Sequence, residues 1–341
     1  MNRPRKRTLS IIGAAAALLI AAALIGYANR GVLAAWGYDT FLSKQVEKKL
    51  EKSYEPLPNR PPETSQPTAA EREDPFSVLL MGVDARGSER GRSDTLIYTV
   101  IRPVDGHVLM VSIPRDTYAE LVGRGAQDKI THAYVYGGPQ MAVESVQKLL
   151  DARIDHYASI NFQGFVKAVD LLGGIPLPIT KDIVNKEADH EKFTIKANQS
   201  VYSGQDALNF VRYREDAGGD MARTERNRQF LESLIHKASS LQQWSKIPEL
   251  LTVVGENFRT DIPPSALSDL AKKFLQTDHS IQSYTLHGEG KRMGPDNLWY
   301  YVADEEDLNA VRQTIAVWLD PDAASDRLTV PGLDEKTPTA D

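Results

Sequence analysis

Asp84, Arg86, Arg92, Asp94, Arg115 and Asp116 stand at the ends of three short apolar runs, VLLMGV, TLIYTVI and HVLMVSI, in the stretch from Ser77 to Asp116. Carboxylates mixed with guanidinium groups suit a metal ion together with a phosphate-bearing ligand, because arginine offers a planar fork matched to phosphate oxygens. The alternative is a set of solvated loop ion pairs, and this stretch alone does not choose between them.

A second group of candidates lies downstream. Arg212 and Arg214 end the segment SGQDALNFVRYR, where cations are also favoured simply by a helix dipole. In MARTERNRQFLESLIHKASSL, Arg223 and Arg226 are three residues apart and share a helical face, which Gln229 extends by a turn. On an ordinary surface helix these arginines are merely solvated. Taken with Arg92 and Arg115, they read as convergent.

The elements that must position these groups follow from patterning. The three apolar runs are rich in β-branched residues and bounded by turn residues, so each is a buried strand. A carboxylate or guanidinium just past such a strand is how an α/β sheet builds a site at its edge. Asp128–Leu150 contains a Gly-Gly-Pro stop and start, with Pro139 in a first helical turn. Ala158–Ile160 reads as a strand, Phe162–Leu172 as a helix ended by Gly173 and Gly174, and Ser203 as the cap of the next helix. Asp220 can cap the long arginine-bearing helix. Lys246–Phe258 and Pro264–Leu275 read as helices, Ile281–Leu286 and Trp299–Val302 as strands, and Asp304 as the cap of a last helix. Strands and helices interleave, so the class is α/β: a helix–sheet–helix sandwich around a central mixed β-sheet, preceded by one N-terminal transmembrane helix.

That anchor is Leu9–Ala28, twenty residues without a charge behind Arg3, Arg5, Lys6 and Arg7. The length spans a bilayer, and the basic flank puts the N-terminus in the cytoplasm and the rest outside. A cleaved signal peptide is the competing reading, but its apolar core is usually only ~7–15 residues, which favours an uncleaved anchor. The organisation is then a cytoplasmic segment 1–8, an anchor 9–28, a juxtamembrane helix and Pro-rich spacer 29–75, a folded domain 76–319 and a disordered tail 320–341. Six prolines between Glu55 and Pro75 underlie the spacer.

Overall charge is −6, and the basic N-terminus leaves the remainder more acidic still. Together with the lack of a recognisable DNA-binding motif, this argues against a nucleic-acid partner. The chain has no cysteine, no HExxH and no Walker-type loop, which removes cysteine-based metal centres and P-loop chemistry from consideration. His107 and His287 read as structural. His132, Tyr134 and Tyr136 form an aromatic group that burial in the core explains better than the stacking of sugar rings.

The segments LLMGVDAR, GRSDTLIYTVI, MVSIPRDTY, KITHAYVYGGPQMAVESVQKLL, DLLGGIPL, ALNFVRYRED and ARTERNRQFL occur in the order and spacing of the LytR–CpsA–Psr family. The chain resembles that family from Phe76 to Leu319, and in having a single N-terminal anchor. The resemblance implies a membrane-anchored enzyme of Gram-positive cell-wall assembly. Such a phosphotransferase moves a glycopolymer, such as wall teichoic acid, from its polyprenyl-pyrophosphate carrier to a peptidoglycan sugar hydroxyl and releases polyprenyl phosphate.

Carried over residue by residue, the resemblance makes Asp84 and Asp94 the pair that holds Mg2+, with Mn2+ as the substitute ion. Arg92 and Arg115 become pyrophosphate ligands, with Arg115 also catalytic beside the two aspartates. Arg212, Arg214, Arg223, Arg226 and Gln229 become the basic wall. The chain departs from the family in carrying Asn227 and Arg228 where glutamines are common, which bears on Gln229. Two other readings are kept: a polyprenyl-pyrophosphate hydrolase that uses water at the same site, and a non-catalytic binder of lipid-linked intermediates.

Overall fold

The computed structural model describes residues 43–59, 73–84, 91–186, 192–213, 219–238, 257–276 and 279–332, with 253 and 255. Strands β1 (Phe76–Asp84), β2 (Arg92–Arg102) and β3 (His107–Ile113) form an antiparallel meander. β6 (His156–Asn161) adds parallel to β1, and β10 (Ser280–Thr285) adds parallel to β3. β9 (Phe258–Thr260) closes the sheet antiparallel to β6, giving the order β10-β3-β2-β1-β6-β9. The sheet is therefore mixed, as expected. β1, β3, β6 and β10 run one way, so their carboxyl ends share one edge with the start of β2.

Both faces of this sheet are covered, which is why its strands read as continuous apolar runs rather than alternating ones. Leu79, Met81, Leu96, Tyr98 and Val111 pack on one side under α2 (His132–Leu150) and α7 (Glu305–Leu319), the latter inserting Leu308, Val311, Ile315 and Trp318. Phe76 and Val78 turn the other way, toward Ile262 and Ala266 at α6 (Pro264–Gln276). A satellite core joins α3 (Phe162–Leu171), α4 (Gly204–Arg212) and α5 (Gly219–Ala238). Three small hairpins flank the body: β4–β5 (Tyr118–Leu121, Ala126–Lys129), β7–β8 (Ile183–Asn185, Phe193–Ile195) and β11–β12 (Gly288–Met293, Leu298–Ala303).

Local signals at Gly138, Ser203 and Asp304 act where the sequence places them, and the one at Asp220 does not. α2 is two helices joined at Gly138, whose φ of 64° breaks the first and lets Pro139 start the second. Ser203 caps α4 by accepting from the Asp206 N–H, and Asp304 caps α7 by accepting from Glu306 and Asp307 N–H. Asp220 lies inside α5, which already begins at Gly219.

Three expectations are corrected. The folded unit does not begin near Phe76. α1 (Ser43–Leu50) and a 3-10 turn (Glu51–Ser53) precede it, Leu50 and Leu57 are buried, and the Glu55 N–H donates to Thr260 O at 2.7 Å. Strand β9 would otherwise leave an open edge, and the extended Tyr54–Leu57 segment covers it. Nor is the chain beyond Asp320 a loose tail throughout. Buried Arg102 donates to the carbonyls of Trp318, Asp320 and Ala323, while Leu328 and Val330 enter the main core. Lastly, Phe258 opens β9 rather than ending a helix that begins at Lys246. Most of that expected helix, the anchor at Leu9–Ala28 and the later Pro-rich residues lie outside the described residues. Among the described residues no helix is long and apolar enough to cross a membrane.

Candidate active site

The pairing of β1 with β2 shifts register between Gly82 and Val83. Gly82 opposes Thr95 and Val83 opposes Ser93, so Asp94 is the extra residue of a β-bulge. Bulges re-aim a side chain, and this one frees Asp94 from the β1 ladder. On its other side the β2–β3 ladder ends at Leu96 and Ile113. Continued by two residues, it sets Asp94 against Arg115, and the Arg115 Nη1 donates to Asp94 Oδ1. One residue past Val83, Asp84 ends β1 directly opposite Arg92.

Arg115 is held from both flanks. Thr117 turns its N–H and hydroxyl onto the Pro114 carbonyl, and the Thr131 N–H donates to Arg115 O at 3.1 Å. The Thr131 hydroxyl reaches Ser93 O at 2.9 Å, tying the start of α2 to the bulge. Asp116, almost fully buried, lies 3.6 Å from Arg115 Nε and 3.0 Å from Lys129 Nζ. The resulting chain Asp94–Arg115–Asp116–Lys129 alternates in charge and is partly buried, so solvent screens it less than a surface pair. No local pattern in the sequence marks Lys129 as the partner of Asp116. Only the fold of the β4–β5 hairpin brings Lys129 back to Asp116.

The second group reaches the same edge through β6. Asn161 pairs in register with Val83 and caps α3 by accepting from the Gly164 N–H at 2.8 Å. Phe162 therefore starts its helix next to the end of β1. Arg212, the last residue of α4, holds its guanidinium 4.9 Å from the Phe162 ring centroid. Arg226 is buried at 7% exposure, donates to the Tyr213 carbonyl and lies over the Tyr213 ring at 5.2 Å. Gln229 donates its amide to Glu225 Oε1 at 2.9 Å, and Arg228 bridges Glu225 and Glu232. The Arg228 hydrogen bond holds the Glu225 carboxyl below its ordinary range. Arg86 and Arg214 lie outside the described residues, as does the side chain of Arg223.

Among the described residues no three His, Asp or Glu side chains converge to cage a metal. Magnesium rarely needs such a cage, since it takes one or two carboxylates and completes its shell with water and phosphate oxygens. Asp84 and Asp94, at the end of β1 and in the adjoining bulge, fit that mode.

The residues brought to one edge are thus Asp84, Arg92, Asp94, Arg115 and Arg212, with Arg226 behind them through Tyr213. Such an arrangement can neutralise a phosphate-bearing ligand and align it beside a carboxylate.

Comparison with known proteins agrees with this architecture. Over 280 residues, 81% of this chain and 90% of the relative, the sequence is 35% identical to a polyisoprenyl-teichoic acid–peptidoglycan teichoic acid transferase, TagU, of Halalkalibacterium halodurans. The crystal structure of Bacillus subtilis TagV superposes with a TM-score of 0.63 at 33% identity, covering 73% of this chain and 98% of TagV. A structure of TagT bound to LI-WTA superposes with a TM-score of 0.57 at 27% identity, covering 72% and 91%. The LytR_cpsA_psr family model matches residues 40–316, so it takes in the α1 segment as well as the sheet, and the chain belongs to the LytR–CpsA–Psr family.

Proposed function

We propose that the protein is a Mg2+-dependent phosphotransferase. It attaches a glycopolymer carried on polyprenyl pyrophosphate, wall teichoic acid or a similar anionic polysaccharide, to a peptidoglycan sugar hydroxyl. The observation that carries this reading is Arg115, clamped between Asp94 and Asp116 at the edge where Asp84, Arg92 and Arg212 also arrive. The transferase name of the H. halodurans relative and the LI-WTA bound to TagT support it.

In the reaction the acceptor hydroxyl oxygen attacks the phosphorus that bears the glycan. The bond from that phosphorus to the bridging oxygen breaks, and polyprenyl phosphate leaves with the electron pair. A loose phosphoryl transition state needs positioning and charge neutralisation more than covalent help. Arg115 and Arg92 bind the pyrophosphate oxygens, and Arg212 closes over them from α4. A magnesium ion held by Asp84 and Asp94 would neutralise charge on the same oxygens. The acceptor proton passes to one of these two carboxylates. The pyrophosphate linkage is already activated, so no nucleotide is consumed. With Leu9–Ala28 as the anchor, the domain works at the outer membrane surface, where a lipid-linked donor is within reach.

The test uses the full chain in detergent with a synthetic polyprenyl-pyrophosphate glycan, uncrosslinked peptidoglycan and Mg2+. Mass spectrometry should find a glycan–phosphate–peptidoglycan adduct that Arg115→Ala abolishes. Donor cleavage without an adduct would replace the transferase by the hydrolase. Donor binding without either product would leave a binding protein.

A further inference from the structure

Beside the Asp116–Lys129 pair the molecule gathers aromatic rings that the transfer step leaves unused. Tyr118, the first residue of β4, meets Tyr300 of β12 edge to face, with centroids 5.0 Å apart. Lys129 Nζ, which pairs with Asp116, also stands 5.8 Å from the Tyr300 ring centroid. Tyr136, on the first half of α2, is 42% exposed and meets His132 edge-on at 6.0 Å. His132 is paired with Asp128 at 2.8 Å. Asp128 pairs with Ala119 across the β4–β5 ladder and Lys129 with Tyr118, so the His132–Tyr136 pair held by Asp128 adjoins the Tyr118–Tyr300 pair. The β11–β12 hairpin that brings Tyr300 is tied to the same loop as Arg115, since the Tyr301 N–H donates to Asp116 O at 2.9 Å.

Burial in the core, expected for His132, Tyr134 and Tyr136, is found only for Tyr134, which packs on the main core. Tyr136 faces solvent. Arg124 lies over its ring at 3.6 Å, carried on a turn whose flanking Gly123 and Gly125 have φ of 89° and 63°. Glycine there permits a left-handed turn that presents one arginine at the hairpin tip.

Rings interleaved with charges of both signs suit a particular kind of ligand. A hydrocarbon surface would leave Asp128, Lys129 and Arg124 desolvated against it, at a cost. A pyranose has an apolar C–H face that packs on an aromatic ring, while its hydroxyl and amide groups point outward to carboxylates and cations. Tyrosine serves such amphipathic surfaces because its ring is apolar and its tip polar. Continuity with Asp116 and Arg115 places a bound sugar next to the phosphate clamp.

We propose that Tyr118, Tyr136 and Tyr300 form the subsite that receives the acceptor glycan strand, stacking on its pyranose rings while Arg124, Asp128 and Lys129 hold its polar groups. That the strand is an acceptor rests on the transferase reading. That the surface binds β-1,4-linked amino sugars does not.

The experiment therefore measures sugar binding apart from transfer. The full chain in detergent is titrated calorimetrically with a soluble β-1,4-linked N-acetylglucosamine hexamer, alongside Tyr136→Ala, Tyr300→Ala and Tyr300→Phe. Tyr136 is exposed, so its variant tests the surface without disturbing the core. Loss of one stacking ring should weaken the hexamer about tenfold in each Ala variant, with Tyr300→Phe close to wild type. In the transfer assay the Ala variants should raise the acceptor KM far more than they lower kcat.

A wild-type protein that does not bind the hexamer, or Ala variants that bind it as wild type does, would overturn the subsite even if adduct forms. Expected binding with no adduct from any protein would sink the transferase reading and leave the sugar-binding surface standing. Binding to phosphatidylglycerol vesicles that disappears in Tyr136→Ala, without hexamer binding, would reassign the patch to the membrane.

Discussion

Arg115 and Asp94 meet because a bulge in β2 removes Asp94 from its ladder with β1 and leaves it opposite the residue that follows β3. The pair ties two strands at the carboxyl edge and fixes a guanidinium with one side toward Asp94 and another toward Asp116. Lysine has one charged point and cannot bridge both carboxylates in that geometry. Arg115→Lys is accordingly expected to lower kcat nearly as far as Arg115→Ala, each on the order of a hundredfold or more. Initial rates of adduct formation check this, and a Lys variant within about threefold of wild type would reduce Arg115 to a point charge.

The carboxylates carry a separate expectation. If Asp84 and Asp94 hold the divalent ion, Asp84→Asn and Asp94→Asn should each raise the Mg2+ concentration needed for half-maximal transfer by about tenfold or more. Asp116→Asn should leave that requirement near wild type, because Asp116 is almost fully buried and its carboxylate pairs with Lys129 at 3.0 Å. Mg2+ titrations of transfer rate for the three variants decide the matter, and equal shifts in all three would deny the aspartate pair a special role.

Arg102 makes a stability prediction away from the site. It is 5% exposed, pairs with Asp105 at 2.8 Å and donates to three carbonyls around the end of α7. Arg102→Ala leaves those carbonyls and Asp105 without their donor, at a cost of roughly 3 kcal/mol. Urea denaturation of the variant reads this directly, and a loss under about 1 kcal/mol would show that apolar packing of Leu328 and Val330 suffices to hold residues 320–332.

The ease with which these elements could be foreseen follows their physics. β1, β2 and β3 are buried on both faces, so their apolar runs are visible without knowledge of partners, and the caps at Ser203 and Asp304 are local. The bulge at Asp94 depends on what β1 pairs with, and no property of the GRSDT segment reveals it. β4 and β5, YAEL and AQDK, carry no β-branched run and exist because each pairs with the other. Lys129 reaches Asp116 only through that hairpin. Arg102 conceals the ordered end of the chain in the same way, since its partners are backbone carbonyls that sequence does not distinguish.

Acid pH should weaken α5 through Glu225. Its folded-state pKa lies below the ordinary value because Arg228 hydrogen-bonds the carboxylate. The carboxylate therefore contributes stability that is fully present above the unfolded pKa and is lost as pH falls through the depressed folded value. Glu225 is 46% exposed, so the contribution stays below about 1 kcal/mol. Glu225→Gln should lower Tm slightly at about pH 6, and the gap to wild type should narrow as the pH falls below the ordinary carboxyl range. A gap that persists or widens on acidification would give the pair another origin.

The residues before Phe76 offer the last test. Leu57 is 2% exposed within the main core, and the Tyr157 hydroxyl, itself pushed up by burial, donates to Glu55 O at 2.8 Å. A spacer that merely holds the domain off the membrane would make no such contacts. Leu57→Ala should cost about 2–4 kcal/mol, in the range for a buried leucine. A chain begun at Asp74 should lose more than that, because the open edge of β9 then stands bare beside Thr260. A chain begun at Ser43 keeps both contacts and should unfold at the same urea concentration as the full chain. Equal midpoints for the two truncated chains would return residues 43–59 to the role of a linker.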